Sequence, residues 1–144
     1  MKKFLVLFIS TFLMSATLHA KECTQPILDE ADKNAGDFKN WENVYVYSKK
    51  YDNCIGSDTQ ESVSEGIVRM LADKWDQLSD LKNLIKKDKQ FEIFVTSGID
   101  STVSGDDLLK IHNLATKHCP KDSKRLCRKI GHEALRAYKE MDEF

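Results

Sequence analysis

Residues that could do chemistry cluster at a few places in this chain of 144 residues. His132-Glu133 resembles the start of a zinc-protease helix, where a second histidine four residues on completes the metal site. Arg136 stands there instead, and a cation repels a metal. His112 and His118, six apart, point to different faces of a helix and cannot chelate together. Asp100-Ser101-Thr102-Val103-Ser104-Gly105-Asp106 imitates the opening of a calcium loop. Calcium needs about six to eight oxygens, two of them from an acid at the twelfth loop position. Ile111 occupies that position, so the segment is expected to be a turn with a Ser104/Asp107 helix start. Ser62-Val63-Ser64-Glu65-Gly66 lacks the strand-to-helix setting of a nucleophile elbow. The carboxylates of Glu61 and Glu65, one helical turn apart, read as a solvated pair near a helix N-terminus. These patterns point away from catalysis, and the sequence calls for no cofactor and no metal.

Four cysteines, Cys23, Cys54, Cys119 and Cys127, allow three pairings. The turn-rich Pro120-Lys121-Asp122-Ser123 between the last two favours Cys119–Cys127, leaving Cys23–Cys54. On the loop-entropy model the two bridges contribute about 2.6 and about 3.7 kcal/mol.

Two candidate contact faces stand out. Lys121, Lys124, Arg125, Arg128, His132, Arg136 and Lys139 recur at helical spacing along the last predicted helix. Such a stripe suits an acidic protein surface or an anionic polymer; the plainer reading is a solvated face offset by Glu133, Glu140 and Glu143. The aromatic residues Phe38, Trp41, Tyr45, Tyr47 and Tyr51 form the second face, since Trp and Tyr are enriched at interface hot spots. Its plainer reading is core packing. Trp75 reads as core.

The elements that must position these side chains are helical nearly throughout. Pro26 opens a short helix to about Ala31, and Asp37 is expected to cap the next. Val44-Tyr45-Val46-Tyr47 could alternate as a strand, but no partner strand is in sight, so helix is expected. Asp58 and Glu61 form a capping-box-like start to a helix whose stripe is Val63, Ile67, Leu71, Trp75 and Leu78. Leu81, Leu84 and Ile85 follow a bend; Phe91, Phe94 and Val95 lead to Gly98, expected as a left-handed C-cap. Leu108, Ile111, Leu114 and Ala115 mark the next helix. Leu126, Ile130, Ala134, Ala137 and Met141 mark the last, over about Ser123 to Asp142. The expected fold is an all-α, disulfide-stapled bundle of six or seven short helices.

Residues 1–20 follow the pattern of a cleavable export signal: Lys2 and Lys3, an apolar run from Phe4 to Ala16, and a small residue at Ala20. The run falls short of the roughly 20 apolar residues a membrane span needs. Residues 21–144 are expected to form a single domain without a membrane span. Losing Lys2 and Lys3, and no acid, takes the formal charge from −1 to −3. A slightly acidic domain gives no global case for nucleic acid.

Through Ser64-Glu65-Gly66, Trp75-Asp76-Gln77-Leu78, Asp106-Asp107-Leu108 and the Cys119-Pro120…Leu126-Cys127 closure, the chain resembles a group of small exported bacterial helical proteins of unknown function, over Cys54 to Ile130. The resemblance implies no active-site residue. The design is also similar in architecture to periplasmic immunity proteins that block cell-wall-degrading effectors. The expected function is a non-enzymatic, periplasmic or secreted module that binds another protein. The alternatives are a small envelope hydrolase with a carboxylate site, or a secreted effector.

Overall fold

The computed structural model describes residues 23–141, and the export-signal reading of residues 1–20 lies outside them. Among the described residues the chain forms seven α-helices and no strand. They are α1 (Gln25–Asn34), α2 (Trp41–Tyr51), α3 (Ser57–Asp73), α4 (Leu78–Lys87), α5 (Lys89–Ser97), α6 (Gly105–Lys117) and α7 (Lys124–Met141). Short 3-10 turns cover Asp52–Cys54, Trp75–Gln77 and Lys121–Ser123. The disulfides are Cys23–Cys54, which ties the N-terminal segment to the turn after α2, and Cys119–Cys127, which closes the α6–α7 connection. Two such bridges are the mark of a protein that matures in an oxidising compartment. No described helix is long and apolar enough to cross a membrane.

The core follows the helical spacing of the apolar residues. Val63, Ile67 and Leu71 of α3 are buried beside Leu81 and Ile85 of α4, Phe91 and Val95 of α5, and Leu108 and Ile111 of α6. The segment Val44–Tyr47 is helical. Its register buries Trp41, Val44, Tyr47 and Tyr51 on one side of α2 and leaves Val46 outside. Tyr47 donates its hydroxyl to the carbonyl of Ala31 at 3.0 Å. Burial, with smaller contributions from Tyr51 and Asp32, pushes that hydroxyl up to about 12.

Four local expectations are corrected. Asn40, not Asp37, caps α2, accepting from the Asn43 N–H at 2.9 Å, while exposed Asp37 pairs with Lys39. Gly56 is the N-cap of α3, so Asp58 lies inside the first turn, where its charge still favours the dipole. Gly98 has φ −77°, an ordinary right-handed conformation. Glycine is needed there for space, because a Cβ would lie 2.6 Å from the Ile67 Cδ1. Trp75 falls after α3 has ended at Asp73 and is half-buried, its indole N–H donating to the His118 carbonyl at 3.0 Å. Of the apolar positions expected inside, Met141 is 37% exposed and Leu114 is half-buried.

Candidate functional site

α7 has one face made for close packing and another made of charge. Leu126, Ile130, Ala134 and Ala137 are buried against the rest of the bundle. At Gly131 a Cβ would stand 2.9 Å from the Ala115 Cβ, so the small residues let α6 and α7 approach closely. His112 Nδ1 lies 2.9 Å from the Gly131 carbonyl, which accepts from it and fixes that ring at the contact. Turning this face inward turns Lys124, Arg125, Arg128, His132, Arg136 and Lys139 outward, and all six are exposed.

The stripe divides into two halves. Arg136 is bound by acids of its own helix, Glu133 at 2.8 Å and Glu140 at 2.6 Å, so the C-terminal half is largely neutralised. The N-terminal half is different. Arg125 reaches across to α5 and grips both oxygens of Glu92, at 2.8 and 2.9 Å. Lys129 adds a third contact at 3.3 Å. Glu92 is only 5% exposed. The Arg125 hydrogen bonds hold its carboxyl down at about 2, against the upward push of burial and with further help from Lys129. Arg128, Lys121 and Lys124 have no ion-pair partner among the described residues.

The structure joins this half-stripe to cations the sequence left unconnected. Lys82 and Lys86 of α4 and Lys89 of α5 stand with Arg125 around a cleft of about 190 Å³, floored by Ile85 and Leu126. Beside it, Arg125, Arg128, Lys129 and His132 border a second, more open depression of about 340 Å³. Arg125 belongs to both. One continuous basic face thus runs from α4 over the start of α5 to the first half of α7. It was missed because Lys82, Lys86 and Lys89 lie 36 to 43 positions before Arg125 and meet it only after folding. The available signal was the lysine density of residues 82–89, with four lysines in eight positions.

The α6–α7 connection shapes one wall of the cleft. Cys119–Cys127 closes it, Trp75 holds the His118 carbonyl, and Lys82 pairs with the Asp122 carboxylate and touches its carbonyl at 3.4 Å. Replacing both Cys119 and Cys127 by serine is expected to lower stability by about 2 to 3 kcal/mol in urea unfolding. The helical signal should be retained. Unchanged stability would mean that the other two tethers suffice.

Much of the aromatic cluster is turned inward, with Trp41, Tyr47 and Tyr51 buried and Tyr45 half-buried. Trp41 is 1% exposed, and the Tyr45 ring packs edge-on against Phe91 at 5.0 Å. The plainer core reading holds there, because α2 lies between α1 and α4 and has one face left for solvent. The Asp100 loop is a turn: the Asp100 carboxylate accepts from the Thr102 N–H and hydroxyl and from the Ser64 hydroxyl at 2.7 Å. Ser64 itself is fully buried.

The far end of α7 carries the opposite charge. There Gly105, at the start of α6, faces Tyr138 and Met141. Asp107 borders a groove of about 340 Å³ with Glu61 and Glu65 of α3, and Asp106 is its neighbour in the chain. Arg69 offsets Glu65.

No protein-family model matches this sequence, and no curated protein or solved structure is detectably similar to it.

Proposed function

We propose that the protein is a non-enzymatic binding module of the periplasm or the secreted fraction, whose basic face docks an acidic surface of another protein. An inhibitor or immunity-type factor is the kind of role this suits. The observation that carries the reading is the charge sorting. A chain of net charge −1 gathers Lys82, Lys86, Lys89, Arg125, Arg128 and Lys129 on one side. Charge complementarity of this kind steers encounter and fixes register. The scaffold beneath is rigid, held by two disulfides and one continuous core. A hydrolase reading is less well supported. The described acids with resolved shifts, Asp88, Glu92, Asp122 and Glu133, all move downward, opposite to what a general acid needs.

The test is capture of partners from envelope and culture fractions by the oxidised, exported protein, read by mass spectrometry. One stoichiometric acidic partner is expected, released as salt rises and lost with the double reversal Lys86→Glu/Arg128→Glu. Both positions are exposed and outside the core, so the variant should fold. Retention of the partner by that variant would show that another surface binds it.

A further inference from the structure

Within the basic face, the cleft between α4 and α7 differs from the open surface around it. Lys82 is only 17% exposed along its side chain and is already committed, its ammonium resting on the carboxylate of Asp122. Asp122 is 71% exposed and comes from the tethered α6–α7 connection. Lys86 and Lys89, on the other side of the same cleft, have no ion-pair partner among the described residues. Arg125 spends two N–H groups on Glu92 and keeps three of its five donors. The cleft therefore holds one internal carboxylate and enough spare donors for a second. Its volume of about 190 Å³ lies below the roughly 300–1,000 Å³ of small-molecule sites and suits a single side chain.

Resting on the docking role proposed above, we infer that this cleft is a carboxylate subsite for one Asp or Glu side chain of an acidic protein segment, with Asp122 as a tethered competitor. The incoming acid is held by Lys86 and Lys89 with the free edge of the Arg125 guanidinium. It shares or takes over Lys82, while Ile85 and Leu126 receive its methylene stem. The concave shape favours an inserted side chain over a flat lipid surface. On α5, Ile93 is 55% exposed one turn beyond Lys89, placing an apolar contact next to the charged one.

The probe is a fluorescein-labelled glutamate decapeptide, with the glutamine decapeptide as control, followed by anisotropy at low salt. Asp122→Asn keeps the shape of the contact with Lys82 and removes the competing charge. It is expected to tighten binding roughly fivefold, in the range of exposed ion-pair strengths. Lys82→Gln should weaken binding, and Lys86→Glu/Lys89→Glu should abolish it. Thermal melts of each variant separate lost binding from lost folding. If Asp122→Asn leaves affinity unchanged while the double reversal abolishes it, the competitor role is wrong and the docking face stands. If the partner captured by the whole protein survives Lys86→Glu/Lys89→Glu but not Arg128→Glu, the face binds elsewhere and the subsite is wrong. Equal binding of the glutamine peptide, or binding of phosphate or phosphatidylglycerol vesicles but not of the glutamate peptide, overturns the carboxylate assignment.

Discussion

Arg125→Glu is expected to destabilise the fold by about 3 kcal/mol, far more than an exposed arginine normally commands. The reason lies in its partner. Glu92 is 5% exposed, and removing the fork that grips both its oxygens leaves a buried carboxylate with Lys129 alone, beside a new negative charge. Breaking a fully buried pair from one side costs about 3 to 5 kcal/mol, and the lower end applies here because Arg125 is 65% exposed; replacing both partners by apolar residues is often neutral. Arg125→Leu with Glu92→Leu should therefore recover much of what Arg125→Glu loses. The pH dependence has a definite sign. Glu92 stands at about 2 in the folded protein, against 4.5 for the unperturbed group. Its contribution is fully present above about pH 4.5 and is lost as pH falls through about 2. The difference corresponds to about 3 kcal/mol. Urea unfolding of the wild type and of Glu92→Gln should differ most at neutral pH and converge near pH 2. A gap that stays constant with pH would mean that Glu92 matters for its shape and not its charge.

Gly66→Val is expected to prevent the domain from accumulating in a folded state. Here α3 crosses the loop between α1 and α2 with no room for a side chain. A Cβ at Gly66 would lie 2.7 Å from the Gly36 Cα, 2.7 Å from its carbonyl oxygen and 2.7 Å from the Phe38 ring. Two of those neighbours are backbone and cannot turn aside. Gly36 is constrained as well, with φ +81° and its own missing Cβ 2.7 Å from the Ser62 carbonyl oxygen. The milder Gly66→Ala is the sharper test. Within a helix, alanine in place of glycine normally gains about 1 kcal/mol. Overpacking normally costs about 1 to 3 kcal/mol, and against immobile backbone the upper end applies. A net loss in Gly66→Ala, read by thermal and urea melts, supports the contact; a net gain would show that the two segments are further apart.

These two sites also mark the limits of what the chain discloses before folding. The buried stripes Val63–Ile67–Leu71 and Leu126–Ile130–Ala134–Ala137 are legible because each is one face of one helix, and periodicity is a local property. The disulfide pairing was legible from the turn between Cys119 and Cys127. Helix starts were read less well, since Asn40 and Gly56 compete with nearby acids and only the backbone decides which one caps. Glu92 could not be found by spacing. It lies 33 residues from Arg125 on another helix, in a stretch where a charged residue looks like surface. The basic stripe was half legible: its neutralised end, Arg136 with Glu133 and Glu140, is a local pattern of i,i+3 and i,i+4 pairs. Its active end depends on Lys82, Lys86 and Lys89, brought alongside by tertiary packing. The burial of Trp41 and the packing of Tyr45 on Phe91 were not legible, because composition counts aromatic rings without saying which way α2 turns them.

The opposed charges at the two ends of α7 have a consequence for motion through solution. That helix has 18 residues, about 27 Å of length, with cations gathered around its beginning and Asp106, Asp107, Glu61 and Glu65 around its close. Such a molecule carries a permanent electric dipole. In the field of an acidic body it experiences a torque before any atom touches, so it arrives lysine end first. Productive encounters then become a larger share of all collisions, and the association rate falls steeply as ionic strength shortens the reach of that field. The dissociation rate, set by contacts already made, should change far less.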